Sequence, residues 1–87
     1  MKIAYHKRFK KHFQERIALN PNLKKRYEER LHLFLVSPTS PQLKNHALKG
    51  SMYGYRAFSI TGDIRVVYLP ENDTIRFYDI GTHNQVY

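Results

Sequence analysis

Large apolar residues recur at four-residue intervals in the first third of the chain, whereas β-branched and aromatic residues crowd its last third. Tyr5, Phe9, Phe13 and Ile17 form one stripe with the spacing of a helix that buries one face. Lys7, Lys10, Lys11 and Arg16 fall largely off that stripe. Asn20-Pro21 predicts a stop and restart. The Asn20 side chain suits an N-cap, and Pro21 at the first helical position lacks only an N–H that would be unpaired anyway. Leu23, Tyr27, Leu31 and Phe34 give the second helix its inner face. That helix ends before Ser37-Pro38, because the residue preceding a proline is driven out of the helical region. Lys2 to Tyr5 predicts a short strand ahead of the helices.

Ser37-Pro38-Thr39-Ser40-Pro41 predicts a loop leading into Asn45-His46-Ala47-Leu48-Lys49-Gly50. Three strands follow, Tyr55 to Ile60, Ile64 to Leu69 and Thr74 to Ile80, separated by Thr-Gly-Asp and Pro-Glu-Asn-Asp turns. The order β-α-α-β-β-β predicts an α+β fold: a helical hairpin packed on a mainly antiparallel four-stranded sheet, one domain over 1–87. A two-residue turn at Gly62-Asp63 would set Ile60 opposite Arg65 and Phe58 opposite Val67. One sheet face then carries Arg56, Phe58, Ile60, Arg65, Val67 and Leu69, and the other Tyr55, Ala57, Ser59, Ile64, Val66 and Tyr68. With helices on the second face, the first is an open surface. Its two guanidinium groups and exposed Phe58 would suit a phosphate backbone and stacked bases. Ordinary solvated strand arginines fit the same pattern.

Composition narrows the function. An apolar fraction of 41%, with five Phe and seven Tyr, supplies a folded core. The absence of cysteine excludes disulfides, thiolate nucleophiles and cysteine-ligated zinc. No stretch approaches the roughly 18 apolar residues of a membrane span, and the first residues lack a signal-peptide apolar run, so a cytoplasmic location is expected. Fifteen Lys and Arg against seven Asp and Glu give a net charge of +8. Such a field attracts polyanions: nucleic acid, a ribosome, an anionic membrane or an acidic protein.

The stretches His46-Ala-Leu-Lys-Gly50, Gly54-Tyr55-Arg56, Gly62-Asp63-Ile64-Arg65-Val66-Val67-Tyr68 and Gly81-Thr82-His83-Asn84-Gln85-Val86-Tyr87 choose among these. They resemble the RelE/ParE superfamily of bacterial and archaeal toxins, particularly its YafQ-like branch. The resemblance is detailed from about His46 to Tyr87 and covers the N-terminal half only through its two-helix pattern. It implies a ribosome-dependent endoribonuclease that cuts messenger RNA in the decoding site, and an acidic antitoxin as partner. In such toxins the ribose 2′-hydroxyl attacks the neighbouring phosphate, leaving a 2′,3′-cyclic phosphate and a 5′-hydroxyl. The protein orients the bond, moves two protons and stabilises charge on the phosphate, work suited to histidine and arginine. No cofactor and no metal are implied.

By position in these motifs, the resemblance makes His83 a general acid and His46 a base. Asp63 matches an active-site aspartate, although an aspartate at a hairpin tip is also ordinary turn chemistry. Arg65 matches the strand arginine that RelE uses on phosphate, and Tyr87 an aromatic that contacts the RNA. Arg56, Phe58 and Lys49 complete the expected RNA-binding set. Where the YafQ-like branch has a histidine on the second strand, Ser59 stands here and cannot serve as a base near neutral pH. The site is thus a mixture of two branches. His6, His12 and His32 match no functional position and are expected on helix surfaces. Lys24-Lys25-Arg26 with Glu28-Glu29-Arg30 is expected to be a solvated helix face. Two rival readings share the fold: a ParE-type gyrase inhibitor, which does not depend on a Gly-Thr-His terminus, and a decayed toxin that binds RNA or antitoxin without cleavage.

Overall fold

The computed structural model of the chain describes residues 2–87. Strand β1 (Lys2–Tyr5) leads into α1 (Lys7–Arg16) and α2 (Pro21–Val36). Four more strands follow: β2 (His46–Ala47), β3 (Arg56–Ser59), β4 (Ile64–Glu71) and β5 (Thr74–Thr82), and the chain closes with a single turn, α3 (His83–Val86). The sheet order is β1-β5-β4-β3-β2, with β1 parallel to β5 and every other pair antiparallel. The α+β expectation holds, with one strand more than expected. His46 and Ala47, expected in a loop, pair with Ala57 and Arg56 and form an outer edge strand.

The helix boundaries follow local chemistry. Asn20 Oδ1 accepts from the Asn22 and Leu23 amides at 3.1 and 3.2 Å, and Pro21 opens α2. His6, expected on a helix surface, caps α1: its Nδ1 accepts from the Arg8 amide at 3.1 Å. Phe9, Ile17, Tyr27 and Phe34 are buried, and Phe13, Leu23 and Leu31 pack partly buried against the same core. Lys24, Lys25, Arg26, Glu28 and Glu29 are exposed, as a solvated face requires.

The register of the β3–β4 hairpin differs by one residue from the expectation. Ser59, not Ile60, stands opposite Arg65, and Phe58 stands opposite Val66. The cause is Thr61. Its Oγ1 accepts from the amides of Asp63 and Ile64 at 3.1 and 3.0 Å, while the Ile60 amide donates to Ile64 O at 2.8 Å. A threonine that satisfies two turn amides makes the loop three residues long, and a slip of one residue moves every side chain of β3 to the other face. Phe58 therefore lies under the helices, 1% exposed, stacked on Phe34 with ring centroids 4.5 Å apart. It is unavailable to an RNA base. Arg56 also lies on the helix side, donating from Nε to Asn45 Oδ1 at 3.1 Å, the same oxygen that Tyr68 OH reaches at 2.9 Å. Arg56 and Arg65 thus occupy opposite faces, against the expectation of a shared one.

The face away from the helices is not bare. Leu48, Ala57, Val67 and Val86 form a second small core there, with Met52, Tyr55 and Tyr78 packed around it. This patch seats α3 and the 48–55 loop on the sheet.

A buried carboxylate ties α1 to the sheet. β1 ends at Tyr5, and α1 then runs beside the exposed edge of β5, with the His6 amide donating to Phe77 O and Arg16 NH1 to Ile80 O, each at 2.9 Å. A β-bulge beside Tyr68 re-aims the β5 side chains, so that Asp79, 0% exposed, points at one side of α1. Its Oδ2 accepts from Arg8 Nε at 3.0 Å, and its Oδ1 from His12 Nδ1 at 2.6 Å and from the Ile80 amide at 2.8 Å. Arg16 NH1 lies 3.6 Å from the same oxygen. Arg8, His12 and Arg16 are four residues apart, one ridge of a helix. His12 is therefore part of the fold and not a helix-surface residue. Arg8 is held above its ordinary value, first by its hydrogen bond to Asp79.

Two outcomes follow for stability. Asp79→Ala removes the shared anion and leaves the Ile80 amide and His12 unpaired, so denaturant unfolding should show a loss of about 3 kcal/mol, the lower end for a broken buried pair because Arg8 reaches solvent; an unchanged midpoint would contradict the clamp. The Tyr27 hydroxyl is pushed well up from 10.0, first by burial and second by the neighbouring Tyr5. A raised acid stabilises the fold below its unfolded pKa, and that contribution is lost as pH rises beyond about 10. Wild type should lose stability in that alkaline range more steeply than Tyr27→Phe; parallel curves would remove Tyr27 as the cause.

Candidate active site

Three of the expected site residues meet on the face away from the helices. Arg65 NH1 lies 3.1 Å from His83 Nδ1, and its guanidinium carbon lies 5.7 Å from the centre of the Tyr87 ring. The His83 and Tyr87 rings meet edge to face, centroids 4.7 Å apart. Arginine has only donors, so Nδ1 contributes its lone pair to this contact, and the neutral ring carries its hydrogen on Nε2. Burial raises the Tyr87 hydroxyl above its ordinary value, opposed by the charge of Arg65, so the phenol stays un-ionised at neutral pH.

Local sequence places His83 and Tyr87. Gln85 Oε1 accepts from the Thr82 amide at 2.8 Å, which turns the end of β5 into α3. Val86 buries itself in the small second core, and the Tyr87 amide closes the turn on His83 O at 3.1 Å. Gly81 makes this possible, because a Cβ there would sit 2.6 Å from Gln85 Oε1 and 2.7 Å from Arg16 NH1. The Gly-Thr-His run thus has a mechanical reason: glycine admits the Arg16 and Gln85 side chains that hold the turn.

The remaining residues are arranged around this trio. His46 lies opposite Ala57 on β2, and Ala57 lies opposite Val67 on β4, so His46, Ser59, Val67 and Arg65 share one face. Two strand spacings across and two residues along separate His46 from Arg65, roughly 12 Å between Cα atoms. His46 Nδ1 is 2.8 Å from Lys44 O; a carbonyl only accepts, so Nδ1 carries the hydrogen and Nε2 presents a lone pair. Ser59 stands between them, paired with Arg65. Asp63 is exposed at the hairpin tip, its amide donating to Thr61 Oγ1, and its carboxylate meets no partner among the described residues. Lys49 and Tyr87 border one cleft with Leu48, Ser51 and Met52. An apolar groove lined by Tyr5, Phe9, Phe13 and Tyr27 lies on the helix side, away from this face. Among the described residues no group of three or more His, Asp or Glu side chains is placed to hold a metal ion.

What the sequence did not reveal is the support. Arg16 and Gln85 match no chemical motif, and their roles depend on α1 lying along β5. The four-residue spacing of Arg8, His12 and Arg16 was the available signal.

No curated protein sequence matches the chain. Solved structures do. A toxin from Helicobacter pylori, solved as a copper-bound point mutant, is 30% identical over 100% of this chain and 99% of its own, with a TM-score of 0.79. YafQ in the Escherichia coli DinJ–YafQ complex is 28% identical, covering 99% of this chain and 97% of that one, with a TM-score of 0.68. YafQ from Escherichia coli strain BL21(DE3), 23% identical over 99% and 97%, shares the fold at a TM-score of 0.79. The family model of the bacterial toxin of type II toxin-antitoxin systems, YafQ, matches residues 1–87. The chain belongs to the YafQ family of type II toxins.

Proposed function

We propose that this toxin is an endoribonuclease that cleaves messenger RNA in the ribosomal A site by attack of the 2′-hydroxyl on the scissile phosphate, with side chains and not a metal carrying the chemistry. The observation that carries this reading is the contact of Arg65 with His83 and Tyr87 on an accessible sheet face. A transferring phosphoryl group needs a fixed cation on its non-bridging oxygens, a base at the attacking oxygen and an acid at the leaving one. In-line displacement puts those two oxygens on opposite sides of phosphorus. Arg65 on β4 has an imidazole on either side of it in the strand order: His83 beyond β5, and His46 on β2. The spread of the two histidines suits base and acid acting from opposite sides of one phosphate.

The hydrogen bonds suggest how roles divide. His46, with Nδ1–H fixed on Lys44 O, offers Nε2 to take the 2′ proton. His83 lends Nδ1 to Arg65 in the free protein. When phosphate oxygens take the guanidinium fork, that lone pair is released, and a protonated His83 beside the anion can donate to the leaving 5′ oxygen. Tyr87 supplies a ring for a base. Lys49 and the overall +8 charge favour approach to RNA. Asp63 is the expected active-site residue with least support, since the hairpin tip alone accounts for it. Ser59 beside Arg65 is a hydroxyl that can hydrogen-bond phosphate and not a base.

The same charge supports an acidic antitoxin as partner, as DinJ is found with YafQ in the Escherichia coli complex.

Cleavage should occur on programmed ribosomes and not in free RNA, and comparable rates without ribosomes would overturn the decoding-site step. In single-turnover assays His83→Ala should slow cleavage by roughly 10²- to 10⁴-fold with the fold intact by circular dichroism. Arg65→Lys keeps the charge and loses the fork, and should cost about 10- to 150-fold. Wild-type rates in folded His83→Ala would remove that residue from the mechanism. For the antitoxin, added salt should slow association more than it speeds dissociation, and a salt-independent association rate would contradict charge steering.

A further inference from the structure

Two arginines flank the end of β5. On one edge Gly81 pairs in register with Arg65 of β4, whose guanidinium meets His83. On the other edge Arg16, in the last turn of α1, donates from NH1 to Ile80 O at 2.9 Å. We infer that Arg16 is a positioning residue for His83: through Ile80, Gly81 and Gln85 it sets the direction in which the imidazole leaves the sheet, and so its fit to Arg65 and to the leaving oxygen. The inference rests on the reading of His83 as the acid and adds a residue that acts through it from the far edge of β5.

Three observations separate Arg16 from a mere member of the α1 clamp. Asp79 is satisfied without it, since Oδ2 accepts from Arg8 and Oδ1 from His12 and the Ile80 amide. Arg16 NH1 stands 3.6 Å from that carboxylate and makes its short contact with the strand backbone instead. Next, the buried Gly81 keeps open a space that two side chains share. A Cβ there would sit 2.7 Å from Arg16 NH1 and 2.6 Å from Gln85 Oε1, and this same Oε1 accepts from the Thr82 amide in the bond that turns the strand into α3.

The third observation is how little else holds His83. The residue is exposed, and its ring meets only Arg65 and the half-exposed Tyr87 among the described residues. α3 is a single turn of four residues, too short to fix its own axis, and Val86 alone anchors it in the second core. The imidazole therefore inherits its direction from the backbone of Ile80 to Thr82. The β4 ladder holds one edge of that segment, and Arg16 holds the other.

Cleavage kinetics on programmed ribosomes, with NMR of the free protein labelled with 15N-histidine, separate positioning from cohesion. Arg16→Ala should lower kcat about 10- to 100-fold with KM little changed, the cost of a misplaced proton donor. Arg16→Lys keeps a donor for Ile80 O and should recover most of the rate. Arg8→Ala takes a cation from the same carboxylate without touching the end of β5, so it should lower the denaturation midpoint and leave kcat as in wild type. Gly81→Ala leaves the clamp intact but pushes Gln85 aside; it should slow cleavage as Arg16→Ala does, and the two losses should not add, because both act through one turn. At mildly alkaline pH the His83 nitrogens should report a single tautomer, with hydrogen on Nε2, in wild type and Arg8→Ala, and a mixture of both tautomers in Arg16→Ala. Wild-type kcat and a single tautomer in folded Arg16→Ala would overturn the inference. Equal slowing in Arg8→Ala would do so as well, by reducing Arg16 to cohesion. If Arg16→Ala does not fold, Gly81→Ala and Arg16→Lys carry the same comparison. Failure of the wild-type protein to cleave any ribosome-bound message would sink the ribonuclease reading instead, and the tautomers would still decide whether Arg16 positions His83.

Discussion

One buried anion organises this small domain. Asp79 is fully removed from solvent, and the desolvation of a carboxylate costs several kcal/mol unless donors replace water. Here the donors come from one ridge of α1 and from the adjacent backbone. The consequence reaches beyond stability, because α1 covers the stretch of β5 that β1 is too short to pair. Arg16, anchored on Ile80 O, packs against Gly81 next to the turn that aims His83. The chain thus positions a candidate acid through a tie made on the opposite side of β5 from the sheet's other strands. For a domain of 87 residues with a modest core, such an ion-pair tie supplements burial.

The helices and strands were legible in the residues because each was fixed by local chemistry. Asn20-Pro21 and the apolar stripes needed nothing distant to be read. The β3 facing was not legible, because it hung on one side chain: Thr61 took two turn amides and lengthened the hairpin by a residue. Phe58 thereby moved from an expected RNA-facing position to the centre of the core, and Arg56 moved away from Arg65. His12 was misplaced for a related reason, since its partner lies 67 residues away and is turned toward it by a bulge that no local pattern reveals. The meeting of Arg65, His83 and Tyr87 was suggested by motif resemblance, whereas the elements that hold them together, α3 and the second core, emerged only from the packing.

The two faces of the sheet divide the work. The helix side buries most of the aromatic rings and supplies most of the cohesion. The other face needs only Leu48, Ala57, Val67 and Val86 to anchor α3 and the 48–55 loop, and this leaves Arg65, His83, Tyr87 and His46 at an accessible surface. Such a division lets the site vary without unfolding the protein. Ser59 and Arg65 form a cross-strand pair on this face, where neither is required by the core.

In the proposed reaction, electrostatics would link binding to chemistry at that surface. A guanidinium that donates to a neutral imidazole is satisfied in the free protein, but it has a stronger partner available in a phosphate, which accepts two hydrogen bonds and carries charge. In the proposed mechanism, exchange of partners would use part of the RNA binding energy to release the imidazole where a proton is needed, while the Arg65 contact holds His83 in the free protein. Interactions that strengthen as charge develops on the phosphate raise the rate, whereas those that hold the bound message equally well before and after do not. In the proposed mechanism Arg65 belongs to the first kind, because its fork would face the oxygens that gain charge. The diffuse +8 field belongs to the second, and by itself would make a binder of RNA and not a cutter.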